Sequence, residues 1–253
     1  MNVKYNDLEN KRVFITGGGS GIGSSIVEHF CAQGSEVYFI DINVNESKKL
    51  IDEIKNKNFS VPTFIECDLL NIKKLQKIIK RIVSTKGTIH ALINNAANDE
   101  RHKTEDVNEK YYENRMAINL KHYFFAAQEV VKGMKKNKNG SIVNLSSVSW
   151  VLGEGDKVIY ETAKSAVVGL TRSFAQEYGK YNIRTNSVVP GSIATERQIK
   201  HWLTPKYKKF ILEKQALKRQ LKPDDVAKLV LFLSSDQSSG CTKQSFVVDG
   251  GIT

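Results

Sequence analysis

Tyr160 and Lys164 stand four residues apart in Tyr160-Glu161-Thr162-Ala163-Lys164, and Ser147 lies thirteen residues before the tyrosine. If residues 158 to 180 are helical, positions i and i+4 share a face, so the ammonium stands near the phenol. A tyrosine with its ordinary pKa of about 10 is a poor base at neutral pH. A fixed cation beside it favours the phenolate and lowers that value. A drop of about three units takes roughly 4 kcal/mol of differential stabilisation, at 1.36 kcal/mol per unit. Ser147 can hydrogen-bond the same substrate oxygen and hold it. The set therefore suits proton transfer. A tyrosine and a lysine at this spacing also arise by chance on surface helices, so the surrounding chain has to decide.

The elements that must position these residues alternate. Arg12 to Thr16 reads as a buried strand, followed by a glycine-rich turn and a helix from about Gly21 to Gln33 that Gly34 ends. Glu36 to Ile40 is a β-rich run ending at Asp41, and Asn45 to Lys57 reads helical. Val61 to Glu66 is a strand, and Asn71 caps a helix to about Thr85 with Ile72, Leu75, Ile78, Ile79 and Ile82 at helical spacing. Ile89 to Ile93 is a strand, Asn108 to Lys136 a long helix and Ser141 to Leu145 a strand. The Tyr160 helix, a strand at Arg184 to Val188, a helix from Pro223 to about Leu233 and a strand at Ser245 to Val248 complete the series. Strict strand–helix alternation implies an α/β fold with a doubly wound parallel sheet and right-handed crossovers. No linker or composition break divides the chain, so residues 1–253 read as one domain. A basic, aromatic segment near 192–221 interrupts the alternation and reads as a mobile lid.

Thr16-Gly17-Gly18-Gly19-Ser20-Gly21-Ile22-Gly23 falls at the first strand–helix turn. Glycines there let the backbone approach a pyrophosphate at the positive end of the helix. Asp41 ends the second strand, where an acid accepts hydrogen bonds from ribose hydroxyls and repels a 2′-phosphate. No arginine or lysine stands in the glycine loop or directly after Asp41. NAD is therefore expected over NADP. Asp68 is expected near the adenine amino group, with a helix-capping role as the alternative.

The 253 residues, 40% hydrophobic and 26% charged, bury a substantial core without disulfides. Three cysteines form no Cys-x-x-Cys pair, and the five histidines are scattered, so structural thiols and no metal site are expected. Met1 to Lys11 lacks an apolar leader run, and no apolar stretch reaches the roughly 18 residues that span a bilayer. A soluble, cytoplasmic protein is the expectation. The net charge of +11 raises nucleic acid as a partner. Its lysines, however, are dispersed over polar helix faces, so a solvated surface without nucleic-acid or membrane binding is the expected state.

Taken with Asn94-Asn95-Ala96, Asn119 and Pro190-Gly191, the Gly17-x-x-x-Gly21-x-Gly23 turn and the Ser147, Tyr160, Lys164 set resemble the short-chain dehydrogenase/reductase family over about Leu8 to Thr253. The resemblance implies a Rossmann-type fold. It implies Tyr160 as general acid/base, and Lys164 as the group that lowers its pKa and holds the nicotinamide ribose. Ser147 would orient the reacting oxygen and Asn119 would support a water-mediated proton relay to Lys164. Gly17, Gly19, Ser20, Gly21, Ile22, Gly23, Asp41, Asp68, Leu69, Asn94, Ala96, Pro190, Gly191, Ile193 and Thr195 would surround the NAD. Ala97 departs from the family's usual glycine. A homotetramer built through the helices of Asn119 and Tyr160 is also implied.

The local strings Asn98-Asp99-Glu100-Arg101-His102-Lys103, Ser149-Trp150, Arg197-Gln198 and Trp202-Leu203-Thr204-Pro205 resemble bacterial NAD-dependent D-xylose 1-dehydrogenases and related aldose 1-dehydrogenases. A sugar wants paired polar groups and an aromatic face. Asn98, Arg101, His102, Trp150, Glu154, Arg197 and Gln198 are the candidates to supply them. For Arg101 and His102 the alternative is capping of the long helix, and for Trp150 it is packing. The expected activity is NAD-dependent oxidation of an aldose at its anomeric hydroxyl. Two other readings stay open: a reductase of another alcohol or ketone, such as a 3-oxoacyl thioester, and a non-catalytic dinucleotide or nucleic-acid binder.

Overall fold

A computed structural model describes residues 3–253. Met1 and Asn2, the first two positions of the polar N-terminal segment, lie outside the described residues. Seven parallel strands form one sheet in the order β3-β2-β1-β4-β5-β6-β7. They are β1 (Arg12–Thr16), β2 (Glu36–Asp41), β3 (Thr63–Glu66), β4 (Ala91–Asn94), β5 (Gly140–Leu145), β6 (Ile183–Pro190) and β7 (Ser245–Val248). The main crossovers are α1 (Gly21–Ala32), α2 (Val44–Asn56), α3 (Ile72–Lys86), α4 (Glu109–Met116), α5 (His122–Asn137) and α7 (Val158–Tyr178). The short α6 (Ser149–Leu152) precedes α7, and α8 (Glu196–His201), α9 (Pro205–Lys214) and α10 (Pro223–Ser234) follow β6.

Both faces of the sheet are covered, as alternate residues of each strand require. Val13, Ile15, Phe39 and Val143 pack with Phe30 of α1 and Val230 of α10. Phe14, Leu92 and Ile142 pack with Ile79 of α3, Val130 of α5 and Phe174 of α7. Each such side chain contributes roughly 1.5–3 kcal/mol on burial, so Phe30→Ala would cost about 3–5 kcal/mol.

Local chemistry sets the helix ends. Asn43, Asn71 and Asn108 each cap a helix by accepting a backbone N–H three residues on, at 3.3, 2.9 and 2.9 Å. Gly87, at φ 96°, ends α3 in a conformation that favours glycine. The long helix read from the sequence is two α-helices joined by a π-helical turn at Ala117–Lys121. Such turns insert an extra residue and recur at functional positions. Here the turn carries Asn119.

Strand order reverses between β1 and β4, and a ligand crevice opens at the carboxyl ends on either side of such a point. Thr16, Asp41, Asn94, Leu145 and Pro190 all end strands there. The 192–221 segment folds as α8 and α9. Its stem is closed by an Ile193–Leu221 bridge, with Ala194 N–H donating to the Leu221 carbonyl at 2.9 Å.

Candidate active site

The crevice is a cleft of about 740 Å³ running from Asp41 past Tyr160 to Tyr207. At its β1 end the chain folds into a tight cradle. Gly17 and Gly21 hold φ of +67° and +60°. A Cβ on Gly23 would lie 1.8 Å from the Gly17 carbonyl oxygen, so loop and helix touch only because the side chain is absent. Ser20, Gly21, Ile22 and Gly23 present the first turn of α1 to the cleft, where its N–H groups and dipole favour an anion. Asp41 stands beside the loop. One carboxylate oxygen accepts from Gly19 N–H at 2.8 Å, and the other from Asn43 N–H at 2.9 Å. The acid thus braces the loop while lining the cleft. Asp68 and Leu69 also line it. Asp68 accepts from Leu70 N–H at 2.9 Å, and the helix that follows is capped by Asn71 instead. A glycine cradle at a helix N-terminus, with a carboxylate beside it at one end of a long cleft, fits a dinucleotide.

Thr16 and Gly17 tie the cradle to Asn95 and Ala96 in the other half of the sheet. The Thr16 hydroxyl accepts from Asn95 N–H at 3.0 Å and Ala96 N–H at 3.2 Å. The Asn95 amide donates to the Thr16 carbonyl at 3.1 Å and the Gly17 carbonyl at 2.9 Å. Ala96 lines the cleft as expected, whereas Asn94 does not. Asn94 is fully buried and donates to Asn144 Oδ1 at 2.9 Å. Strand alternation turns it inward, and Asn95 is the asparagine that meets the cleft. Gly19 is likewise outside the wall, packed against Asp41 and Ser47.

Ser147 sits on the loop after β5. That loop is pinned to β6 by Ser146 N–H to Val188 O at 2.7 Å and Val148 N–H to Pro190 O at 3.0 Å. Its hydroxyl accepts from Ser149 N–H at 3.2 Å and the Ser149 hydroxyl at 3.0 Å, and it lines the cleft together with Tyr160 from the first turn of α7. Lys164 follows one turn on, with Nζ 5.6 Å from the Tyr160 ring centroid. Its ammonium donates to the Leu145 carbonyl at 2.6 Å and to the Tyr123 hydroxyl at 2.9 Å. Burial pulls Lys164 down from 10.5 to about 7, against the opposing charge of Asp99. Burial first, then Asp99, pushes the Tyr160 phenol above its ordinary value, while the nearby Ser147 hydroxyl works the other way. This corrects the expectation that Lys164 depresses Tyr160. The ammonium is hydrogen-bonded away from the phenol, into β5. Asn119 is fully buried. Its amide accepts from Asn98 N–H at 2.7 Å and donates to Asn98 O at 3.1 Å, clamping the loop that carries the cleft wall.

The outer wall joins the 192–221 segment to the body. Asn98, Arg101, Glu154, Arg197 and Gln198 line it, as do Pro190, Gly191, Ile193 and Thr195 deeper in. Asp99 accepts from Gln198 Nε2 at 2.5 Å and Arg197 Nε at 3.3 Å. Tyr207 donates to Glu154 at 3.1 Å, and Arg101 lies over the Trp202 ring at 4.4 Å while pairing with Asp156 at 2.7 Å. Two substrate candidates fall outside. His102 packs edge-on against Tyr111 and its N–H donates to Asp156 O. Trp150 is not in the wall, because the α6 turn presents Leu152 to the cleft instead. Neither Arg101 nor His102 caps the long helix, whose cap is Asn108.

Asn95, Asp99 and Lys157 are wall residues that sequence reasoning did not single out. The period-2 alternation of β4 could have distinguished Asn95 from Asn94. Asp99 stood inside a quoted string but lacked a partner until the fold placed Gln198 and Arg197 against it.

With this geometry in hand, comparison with known proteins is direct. A family profile described as enoyl-(acyl carrier protein) reductase matches residues 17–253. The chain belongs to the short-chain dehydrogenase/reductase family. It is 43% identical over 247 residues to a D-xylose 1-dehydrogenase of Caulobacter vibrioides, covering 98% of this chain and 97% of the relative. It is 40% identical over 249 residues to a protein of Rhizobium meliloti named "probable galactose dehydrogenase", covering 98% and 97%. Its fold matches the crystal structure of a 3-oxoacyl-[acyl-carrier protein] reductase from Brucella melitensis with a TM-score of 0.89 at 27% identity, over 98% of this chain and 92% of that one. The chain is an oxidoreductase acting on CH–OH groups.

Proposed function

We propose that this protein is an NAD-dependent aldose 1-dehydrogenase that oxidises the anomeric hydroxyl of a pentose or hexose to the aldonolactone. The observation that carries the reading is that Ser147, Tyr160 and Lys164 line one cleft together, and that its outer wall is polar on both sides. The 43% and 40% identities to proteins named for xylose and galactose supply the substrate class. The glycine cradle, Asp41, Asp68 and Leu69 would hold the adenosine and pyrophosphate end of NAD, and Ala96, Lys164, Pro190, Gly191, Ile193 and Thr195 the nicotinamide end. Asp41, with no arginine or lysine in the glycine loop or just after it, supports NAD over NADP. The nicotinamide, when bound, supplies the hydride acceptor.

The residues do the rest. Ser147 holds the anomeric oxygen, and Tyr160 as phenolate takes its proton. Lys164, anchored on Leu145 and Tyr123, would hold the nicotinamide ribose with its remaining proton. Asn98, Arg101, Glu154, Arg197 and Gln198 pair with the remaining hydroxyls. Closure of the 192–221 segment over the Asp99 and Glu154 contacts excludes water. A homotetramer through α5 and α7, and a cytoplasmic location suited to the unpaired thiols of Cys31, Cys67 and Cys241, belong to the same reading. Tyr160→Phe should remove most sugar-dependent NADH formation and leave NAD binding intact. The experiment is a panel of aldoses and 3-oxoacyl thioesters with NAD and NADP, followed at the NADH absorbance. Turnover of the thioesters alone, or retained turnover in Y160F, sinks the assignment.

A further inference from the structure

Tyr123 carries a hydroxyl into the interior at a point on α5 where His122-Tyr123-Phe124-Phe125-Ala126-Ala127 reads only as an apolar run. The residue is fully buried. Its hydroxyl donates to the Leu145 carbonyl at 2.9 Å and accepts from Lys164 Nζ at 2.9 Å. Nζ donates to the same carbonyl at 2.6 Å, so the three groups close a triangle. The direction of each bond follows from the donor inventory. An ammonium only donates and a carbonyl only accepts, so the phenol must give its one proton to Leu145 and receive one from Lys164. Two of the three ammonium protons are thereby held against β5, and one remains for the cleft that Lys164 lines.

We propose that Tyr123 is a positioning residue that keeps Lys164 charged and aimed, because its phenol oxygen is the second anchor of the ammonium. The groups facing Nζ come from four directions. Asp99, on the loop after β4, favours the ammonium. Tyr160 lies on α7 itself. Tyr123 and His122 come from α5, and the Leu145 carbonyl from β5. Burial holds His122 neutral, down to about 3, and raises the Tyr123 phenol, so both stay uncharged across the working range. Tyr123 therefore acts as an acceptor and never as a counter-charge. Lys164 itself titrates near 7, so one hydrogen bond to its charged form decides how much ammonium is present at neutral pH. A phenylalanine at 123 leaves the ammonium with Leu145 alone.

The proposal rests on Tyr160 and Lys164 being the proton-transfer pair for its meaning in catalysis, but its test reads Lys164 directly. Competitive acetylation of Lys164 in cofactor-free protein, followed by mass spectrometry across pH, gives its titration midpoint. In Y123F the midpoint should fall by about one unit or more, a tenfold change in the protonation ratio, as expected for losing a hydrogen bond to a charged group. The alkaline limb of turnover should move down by the same amount. A folded Y123F that titrates at the unaltered midpoint overturns the proposal. If Y123F does not fold, the unaltered protein with tyrosine labelled at Cζ is followed by NMR. The Tyr123 resonance should shift with the Lys164 midpoint, and a flat response refutes the proposal. Failure of the active-site reading would show separately, as turnover retained in Y160F.

Discussion

Lys164 buries a charge-bearing group at 1% exposure, which makes the stability of the cofactor-free protein a test of its environment. In the unfolded chain a lysine titrates at about 10.4, and in the native state burial brings Lys164 to about 7. Below pH 7 both states hold the proton, and the native state bears the full cost of a buried cation. Between about pH 7 and 10.4 the unfolded chain binds a proton that the native chain does not. Stability there rises with pH, at up to 1.36 kcal/mol per unit. Above that range the penalty is gone. The difference of about 3.5 units corresponds to roughly 5 kcal/mol below pH 7. Lys164→Met removes the charge and keeps an unbranched chain. It gives up the hydrogen bonds to Leu145 and Tyr123, at about 1 kcal/mol each. At pH 6, K164M should therefore be more stable by about 3 kcal/mol, which is about 9 °C in Tm for a domain of this size. The advantage should shrink as pH rises and reverse by about pH 10, where only the lost hydrogen bonds count. Denaturant unfolding of both proteins at several pH values measures this. An equally stable or weaker K164M at pH 6, or a gap that does not narrow with pH, refutes the account. The same variant should lose sugar oxidation, separating stability from activity at one residue.

Three further predictions concern other parts of the molecule. Gly23→Ala sets a methyl 1.8 Å from the Gly17 carbonyl oxygen; the loop must open, and NADH affinity by fluorescence titration should fall at least tenfold, roughly 1.4 kcal/mol, with the far-UV spectrum unchanged. Unchanged affinity would remove the cradle reading. Asp99→Asn deletes a charge that raises Tyr160, so the acid limb of the pH–rate profile for oxidation should move to lower pH; a limb that stays put contradicts that assignment. Gly169 is exposed in the middle of α7 with nothing within 4 Å of a Cβ position. In a lone subunit alanine there stabilises by about 1 kcal/mol, but in the proposed tetramer it should weaken assembly by sedimentation, and a G169A protein that is stabilised and assembles unchanged contradicts packing through α7.

The fold was legible because it is written in periods and punctuation. The strand–helix alternation needs only apolar spacing, and Gly34, Asn71, Asn108 and Pro223 mark boundaries by local backbone chemistry. The Ser147, Tyr160, Lys164 set was legible because one helix turn and one strand-end loop fix its geometry. What escaped depends on which way a side chain faces once distant segments meet. Asn94 and Asn95 are neighbours in sequence, yet one enters the sheet and the other the cleft. Trp150 and Leu152 exchange places because the short α6 turn decides which meets the cleft. Asp99 became a wall residue only when α8 brought Gln198 to it. Tyr123 was hidden by its own neighbours, since a hydroxyl in an apolar run gives no sign of the lysine 41 positions later in the chain that it meets. The direction of the Tyr160 shift was misjudged for a related reason. Spacing places a lysine near a tyrosine but does not say to whom that lysine donates.

The four hydrogen bonds between Thr16–Gly17 and the Asn95–Ala96 segment have a consequence for how such a chain can change. They are the joint at which the dinucleotide half meets the half that handles the alcohol, and both take their alignment from it. Residues on the β1–β3 side, Asp41 among them, can be exchanged to alter the choice of dinucleotide without moving Tyr160. Residues on the 192–221 segment can be exchanged to alter the choice of alcohol without moving the glycine turn. Thr16 and Asn95 have no such freedom. A change there misaligns one half against the other, so affinity and turnover would decline together, and the two specificities can drift independently only while this joint is kept.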